Sequence, residues 1–255
     1  MSDEILLLDV GNTRLKWAWQ SGEIFLPGGE LVHAGELGID QLTQINKRHS
    51  PTQVVAVCVA GDNVAESLRI QVQREFGKQV EFVTAATEVA GIHNFYEQPT
   101  QLGSDRWAAL IAAHQRWSGY LCVIDAGSAL TLDLIGPDGL HQGGYILPGL
   151  DMMQSCLLER TAIPISPGSV SLASSTQPGN STRSCIANGA LQAVCGLIER
   201  TVLQLEQQGK ETVQCILTGG DSQSLAAALS IPSEVEPNLV LMGLAQIVRS
   251  RIVTV

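Results

Sequence analysis

The chain has 255 residues, 45% of them hydrophobic and 16% charged, with a formal net charge of −10. The apolar share suffices for a large core, whereas the acidity and the scatter of Lys and Arg exclude a nucleic-acid binder, which needs a basic face. No run of about 18 apolar residues is present to cross a membrane, and the first residues lack the basic-then-apolar order of a signal peptide, so a soluble, cytoplasmic, globular protein is expected.

In chain order, short apolar or β-branched runs bounded by turns predict strands at Ile5–Asp9, Leu15–Trp19, Val54–Val59 and Val80–Thr84, and again at Leu121–Asp125, Thr131–Ile135, Gly143–Leu147 and Cys215–Thr218. Pro137-Asp138-Gly139 predicts a hairpin turn between two of these. Helical periodicity covers Ile39–Lys47, Asp62–Phe76 with Asp62 as its cap, Arg106–Trp117, Leu150–Glu159, Thr182–Gln208 and Leu239–Ile252. Strand pairs come early in each half and helices later, which fits mixed sheets flanked by helices rather than an all-parallel sheet. Residues 164–180, rich in Pro, Gly and Ser, read as a long loop, functional or mobile, with a plain surface connection as the alternative.

The six cysteines, Cys58, Cys122, Cys156, Cys185, Cys195 and Cys215, show no C-x-x-C spacing and read as reduced, buried thiols. His33, His49, His93, His114 and His141 lack metal-ligand spacing, which argues against a zinc site. Trp17, Trp19, Trp107 and Trp117 read as core or subunit interface.

The chemistry gathers at four places. In Leu6-Leu7-Leu8-Asp9-Val10-Gly11-Asn12-Thr13-Arg14-Leu15-Lys16 an apolar strand ends in a carboxylate, followed by a tight polar turn and a second strand. Such a tip suits a Mg²⁺ held through water and a phosphate held by turn amides, with Lys16 in reach; the plainer reading is a hairpin stabilised by Asp and Asn side chains. The same plan recurs at Cys122-Val123-Ile124-Asp125-Ala126-Gly127-Ser128-Ala129-Leu130-Thr131. This repeat suggests two similar halves, 1–118 and 119–255, whose turns can face each other across a cleft. The third place is Leu102-Gly103-Ser104-Asp105-Arg106-Trp107, at the start of an apolar helix. Helix capping explains an Asp there. An Arg at that end opposes the helix dipole and is better explained by an anionic ligand held as a fork, with Asp105 placed to accept a hydroxyl proton. The fourth is Thr218-Gly219-Gly220-Asp221, where glycines after a strand admit a flat ligand such as adenine or ribose. Neither a P-loop nor a G-x-G-x-x-G fingerprint is present.

Taken together and in this order, DVGNTRLK at 9–16, NFYEQPTQLGSDRW at 94–107, DAGSALTLD at 125–133, GGYILPG at 143–149, NST at 180–182 and TGGD at 218–221 resemble the type III pantothenate kinases over nearly the whole chain. The resemblance implies an α/β protein of the acetate-and-sugar-kinase, heat-shock-ATPase and actin superfamily, with duplicated ribonuclease-H-like domains and ATP in the cleft. It implies that Asp9, Val10, Gly11, Asn12, Thr13, Arg14, Leu15 and Lys16 form the first phosphate-binding segment, with Asp9 serving Mg²⁺. Asp105 is then the catalytic base, and Gly103, Ser104, Asp105 and Arg106 contact pantothenate together with Tyr96 and Thr182. Asp125 falls where the family ligates a monovalent cation, K⁺ or NH₄⁺. Ser128 stands where the family usually has Thr, keeps the hydroxyl and contacts ATP, and Gly219 and Gly220 form the adenosine-side turn. The implied activity is ATP-dependent phosphorylation of pantothenate to 4′-phosphopantothenate in coenzyme A biosynthesis, by a homodimer whose substrate pocket is completed near the dimer interface. One rival is a non-catalytic accessory or regulatory protein on the same fold, against which both Asp105 and Asp125 speak. A kinase or phosphatase acting on another small molecule is a second rival, disfavoured by the Gly103–Arg106 segment. A scaffold without ligand is hard to square with paired strand-tip aspartates.

Overall fold

The computed structural model describes residues 4–33, 37, 41–45, 50–163, 175–208 and 212–252. The expected loop 164–180 lies outside them as far as residue 174, and of the helix expected over Ile39–Lys47 only 41–45 are described, where Gln41–Gln44 make a 3₁₀ turn. The chain divides into two compact units, Met1–Arg116 with Asn238–Val255, and Trp117–Pro237.

The first unit begins with β1 (Glu4–Val10), β2 (Arg14–Ser21) and β3 (Ile24–Val32), which form an antiparallel meander. The chain then adds β4 (Gln53–Cys58), α1 (Asp62–Phe76) and β5 (Val80–Phe82), with β4 parallel to β1 and β5 parallel to β4. The sheet order is β3-β2-β1-β4-β5. A small ribbon of β6 (Glu88–Val89) and β7 (Ile92–His93) precedes α2 (Ser104–Arg116). The apolar run of β1 buries both of its faces. Leu6, Leu8 and Val10 join Leu15, Val54 and Ala56 beneath Val64, Leu68 and Val72 of α1. By strand alternation, Leu7 and Asp9 lie on the other face.

The second unit repeats the plan. Strands β8 (Leu121–Ala126), β9 (Ala129–Ile135) and β10 (His141–Pro148) form the antiparallel meander. After α3 (Leu150–Arg160) and α4 (Thr182–Gln207), β11 (Gln214–Thr218) pairs parallel to β8. Short α5 (Ser222–Ala228) leads to β12 (Ser233–Val235), parallel to β11. The order β10-β9-β8-β11-β12 matches the first sheet strand for strand and sense for sense. Two sheets of this shared order, each flanked by helices, make a duplicated ribonuclease-H-like fold. The helix side is filled by Cys122, Ile124, Leu130 and Leu132 against Leu191, Val194 and Ile198 of α4 and Leu225 of α5.

The last helix, α6 (Leu239–Ile252), was expected in the 119–255 half; it packs in the first unit, on α2, β1, β2 and β4. The cause is local. Gly243 has no side chain, and a Cβ there would overlap the backbone of Ala108 on α2, so the two helices meet backbone to backbone. Its last turn donates from Arg249 to the Glu23 carbonyl and from Arg251 to Glu81.

Strand β3 has no counterpart among the expected elements, because Pro27-Gly28-Gly29 reads as a turn. It is an edge strand, where a Pro costs no ladder bond. The Trp17 side chain of β2 occupies the space that a Cβ at Gly28 or Gly29 would need. The cap of α1 is Gly61 rather than Asp62, which stands one residue inside the helix. The Pro137–Gly139 turn forms as expected, with Gly139 at φ 78° and its N–H donating to the Gly136 carbonyl at 3.0 Å.

Of the cysteines, Cys122, Cys195 and Cys215 are buried and Cys58 half-buried, but Cys156 and Cys185 are exposed, and none forms a disulfide. Hydrogen bonding with Cys215 and burial push the Cys122 thiol well up, and burial pushes Cys195 up to about 11, so both stay neutral near pH 7. Trp107 and Trp19 are core; Trp17 and Trp117 are half-buried, and Trp117 donates to Glu234 at 2.9 Å. No helix among the described residues is long and apolar enough to cross a membrane.

Candidate active site

In the first unit, β1 carries Asp9 to its tip, directly opposite Lys16 on β2 and beside Val57 on β4. Opposed residues of an antiparallel pair share a face, so the carboxylate and the ammonium stand on the side of the sheet away from α1. Val10 and Leu15, the apolar members of the expected segment, are buried on the opposite side and anchor the turn. Gly11, Asn12 and Thr13 make the turn, closed by the Gly11 N–H donating to the Arg14 carbonyl at 3.0 Å. Asn12, Thr13 and Arg14 are exposed, and Arg14 pairs with Glu30 at 2.6 Å.

The same unit holds the segment Gly103–Arg106. Helix α2 starts at Ser104, so Asp105 and Arg106 lie in its first turn. Asp105 Oδ1 accepts from the Arg106 N–H at 2.8 Å, which turns the carboxylate back toward Gly103. A Cβ on Gly103 would fall 2.6 Å from that same Oδ1. The glycine therefore leaves room for the Asp105 carboxylate. The positive end of the helix dipole stabilises the carboxylate's charge. Arg106 is buried, at 7% exposed, and donates from one guanidinium nitrogen to the Tyr96 hydroxyl at 3.0 Å, with its guanidinium carbon 5.8 Å from that ring's centre. Tyr96 is itself fixed by its backbone N–H donating to Asn94 Oδ1 at 3.0 Å, and Asn94 donates to Ala86 and Pro99 carbonyls. Tyr96, Gly103, Asp105 and Arg106 thus form one connected group.

In the second unit, Asp125 stands at the tip of β8, opposite Thr131 on β9 and Thr218 on β11. It lies on the face away from α4, since its neighbours Ile124 and Ala126 are in the helix-side core. Gly219 follows at φ 90°, and a Cβ there would overlap Asp125 Oδ1 and the Ala126 carbonyl. This glycine therefore seats the aspartate. Gly220 is exposed. Asp221 occupies the N-cap position of α5 without a side-chain capping bond. Ser128 is exposed at the tip of the β8–β9 turn, and its carbonyl accepts from the Gly149 N–H at 3.0 Å. Thr182 is the first residue of α4, exposed, beside a capping box made by Ser181 and Ser184.

Two buried histidines not expected to take part make hydrogen bonds at these two sheets. His33, just past β3, binds the Gly11 carbonyl through Nε2 at 2.7 Å. Buried His141 of β10 binds buried Asp133 of β9 at 3.0 Å, next to the irregularity between His141 and Gly144. A lone histidine on an edge strand carries no local mark of a partner 22 residues away. The spacing of Asp133 and His141 across a Pro-Asp-Gly hairpin is the one clue that was available.

Among the described residues, no three His, Cys, Asp or Glu side chains gather as a metal cage. Single carboxylates such as Asp9 and Asp125 still suit hard cations that share oxygen ligands with water and a nucleotide's phosphates.

Comparison with known proteins identifies the family of the chain. The family described as type III pantothenate kinase matches residues 5–204. A type III pantothenate kinase of Cupriavidus pinatubonensis is 35% identical, over 96% of this chain and 98% of its own length. One of Azoarcus sp. is 38% identical, over 95% of this chain and 90% of its own. Among solved structures, a Campylobacter jejuni protein assigned to the Baf family of transcriptional activators superposes with TM-score 0.58 at 22% identity, covering 97% of this chain and 98% of its own. The ethanolamine utilization protein EutJ of Carboxydothermus hydrogenoformans gives 0.53 at 12%, covering 96% of this chain and 89% of its own. These two likenesses concern the fold alone. Given the family match and the length over which the relatives align, the chain belongs to the type III pantothenate kinase family.

Proposed function

We propose that this protein phosphorylates pantothenate at the expense of ATP, giving 4′-phosphopantothenate for coenzyme A biosynthesis. The observation that carries the reading is the Tyr96–Gly103–Asp105–Arg106 group in a member of this family. A carboxylate is held in a glycine notch beside a buried guanidinium, which fits a substrate bearing both a hydroxyl and a carboxylate. Arg106, steadied by Tyr96, takes the pantothenate carboxylate as a fork, with Ser104 and Thr182 as further contacts. Asp105 orients the terminal hydroxyl and accepts its proton as the hydroxyl oxygen attacks the γ-phosphorus in line. The bond from that phosphorus to the β-bridging oxygen breaks and ADP leaves.

The segment Asp9–Lys16 takes the phosphates through turn amides and Lys16. Ser128 contributes a hydroxyl to ATP, and Gly219 and Gly220 lie on the adenosine side. Family membership implies a divalent metal with the nucleotide. Asp9 is the residue that would hold Mg²⁺ and Asp125 the one that would hold K⁺ or NH₄⁺, and each cation would supply positive charge to offset that of the phosphates. The working form is a cytoplasmic homodimer.

The test is a coupled assay with ATP, Mg²⁺ and pantothenate, run in K⁺ and again in Na⁺, with light scattering for the dimer. ADP release that requires pantothenate is expected, faster in K⁺. A protein that binds ATP and never consumes it with pantothenate overturns the reading in favour of an accessory role. Asp105→Asn keeps the shape and removes the base. Turnover is expected to fall about 10²–10⁴-fold with ATP binding unchanged, and near-normal turnover removes Asp105 from the mechanism.

A further inference from the structure

We infer that His33 is a positioning residue for the phosphate turn of the first unit, locking the Gly11–Asn12 peptide in the orientation that binds an anion. The inference rests on reading Asp9–Lys16 as the phosphate-binding segment. His33 is 6% exposed and grips the turn twice. Its backbone N–H donates to the Thr13 carbonyl at 2.9 Å, and its ring Nε2 lies 2.7 Å from the Gly11 carbonyl oxygen. A carbonyl only accepts, so Nε2 carries the proton.

The consequence follows from peptide geometry. In a planar trans peptide the C=O and the next N–H point in opposite directions. Holding the Gly11 carbonyl toward the buried ring aims the Asn12 N–H away from it. A carbonyl dipole that would repel a phosphate is thereby turned inward, and the Asn12 amide is directed away from the ring at an exposed turn. The lock is needed at Gly11 above all. Its space is open, with the Arg14 carbonyl 3.6 Å from an added Cβ, and a glycine peptide flips more readily than any other. Once flipped, it would present oxygen to the phosphate.

The experiment compares His33→Ala, His33→Gln and His33→Asn. A glutamine amide nitrogen reaches about the place of Nε2, whereas an asparagine's stands near Nδ1 and falls short. The Ala variant is expected to raise the KM for ATP about tenfold while the KM for pantothenate and kcat stay within about twofold. Gln recovers most of the loss and Asn does not. The dissociation constant of MgADP, measured by titration calorimetry, follows the same order without any turnover. An unchanged ATP KM in the Ala variant overturns the inference. So does Gln no better than Asn, or both KM values rising together with a lowered melting temperature. If the wild type turns over no pantothenate, the kinase reading fails, and the MgADP series still decides the role of His33.

Discussion

In the first unit the β1–β2 hairpin uses three residues, Gly11, Asn12 and Thr13, between Val10 and Arg14; in the second the β8–β9 hairpin uses two, Gly127 and Ser128, between Ala126 and Ala129. The residue just past the third strand braces each turn. His33 donates its backbone N–H to the Thr13 carbonyl, and Gly149 does the same to the Ser128 carbonyl. At the first turn a buried imidazole fills the space behind it. At the second the turn sits directly on Gly149, where a Cβ would overlap the Gly127 carbonyl and stand 2.7 Å from the Ser128 carbonyl. The parallel neighbours differ in the opposite sense. Val59, two residues past the partner of Asp9, donates to the Val10 carbonyl, whereas Asp221, three residues past the partner of Asp125, donates to the Ala126 carbonyl. The second unit thus has its extra residue at Gly219–Gly220 and the first has it in the hairpin. One duplicated plan has yielded a side-chain-braced turn and a backbone-braced turn, and the two should answer differently to the loss of a glycine.

The largest effect is expected at Gly219. Alanine there meets both a backbone overlap with Ala126 and a φ of 90° that L side chains rarely adopt. Overlap and strain together should cost about 3 kcal/mol of stability, and the displaced Asp125 should blunt any preference for K⁺ over Na⁺. Thermal unfolding and the two-salt assay check this. An unaltered K⁺ response in a folded Gly219→Ala protein would detach Asp125 from the cation. Gly149→Ala comes next. Its φ of −64° suits any residue, so only the overlap with the Gly127 and Ser128 carbonyls opposes it. A loss of about 2 kcal/mol is expected, with the KM for ATP rising because Ser128 is moved. A normal ATP KM would mean that the second turn does not depend on its backbone brace.

How far the sequence foretold this contrast depends on the range of each interaction. The repeat itself was legible, because an apolar run ending in Asp-small-Gly-polar is a local pattern. It placed Asp9 and Asp125 at matching strand tips without any knowledge of sheet order. Strand β3 was not legible, since Pro27-Gly28-Gly29 is turn chemistry until Trp17 is seen lying over the glycines. The attachment of α6 to the first unit was hidden for a similar reason: Gly243 signals a close approach but not to what. In the candidate site, residue types at Asp105 and Arg106 suggested acid–base and anion chemistry, yet the use of Gly103 as a notch for Asp105 needed the helix start at Ser104. The two braces were the least visible, because His33 and Gly149 act on turns about twenty residues upstream through groups that any edge strand can carry.

The smallest effect is expected where the first unit differs most from the second. Gly11 has an ordinary backbone conformation, and an added Cβ would meet only the Arg14 carbonyl, 3.6 Å away, which is normal contact. Alanine also narrows the unfolded ensemble, a gain of a few tenths of a kcal/mol that offsets any crowding. Gly11→Ala should therefore change stability by no more than about 0.5 kcal/mol. Because a Cβ restrains the same peptide that His33 holds, it should also soften the defect of His33→Ala in the double variant, so the two substitutions are not additive in ATP KM. A large destabilisation by Gly11→Ala alone, or strict additivity of the pair, would show that the first turn is braced by backbone contact as the second is, and the contrast between the units would vanish.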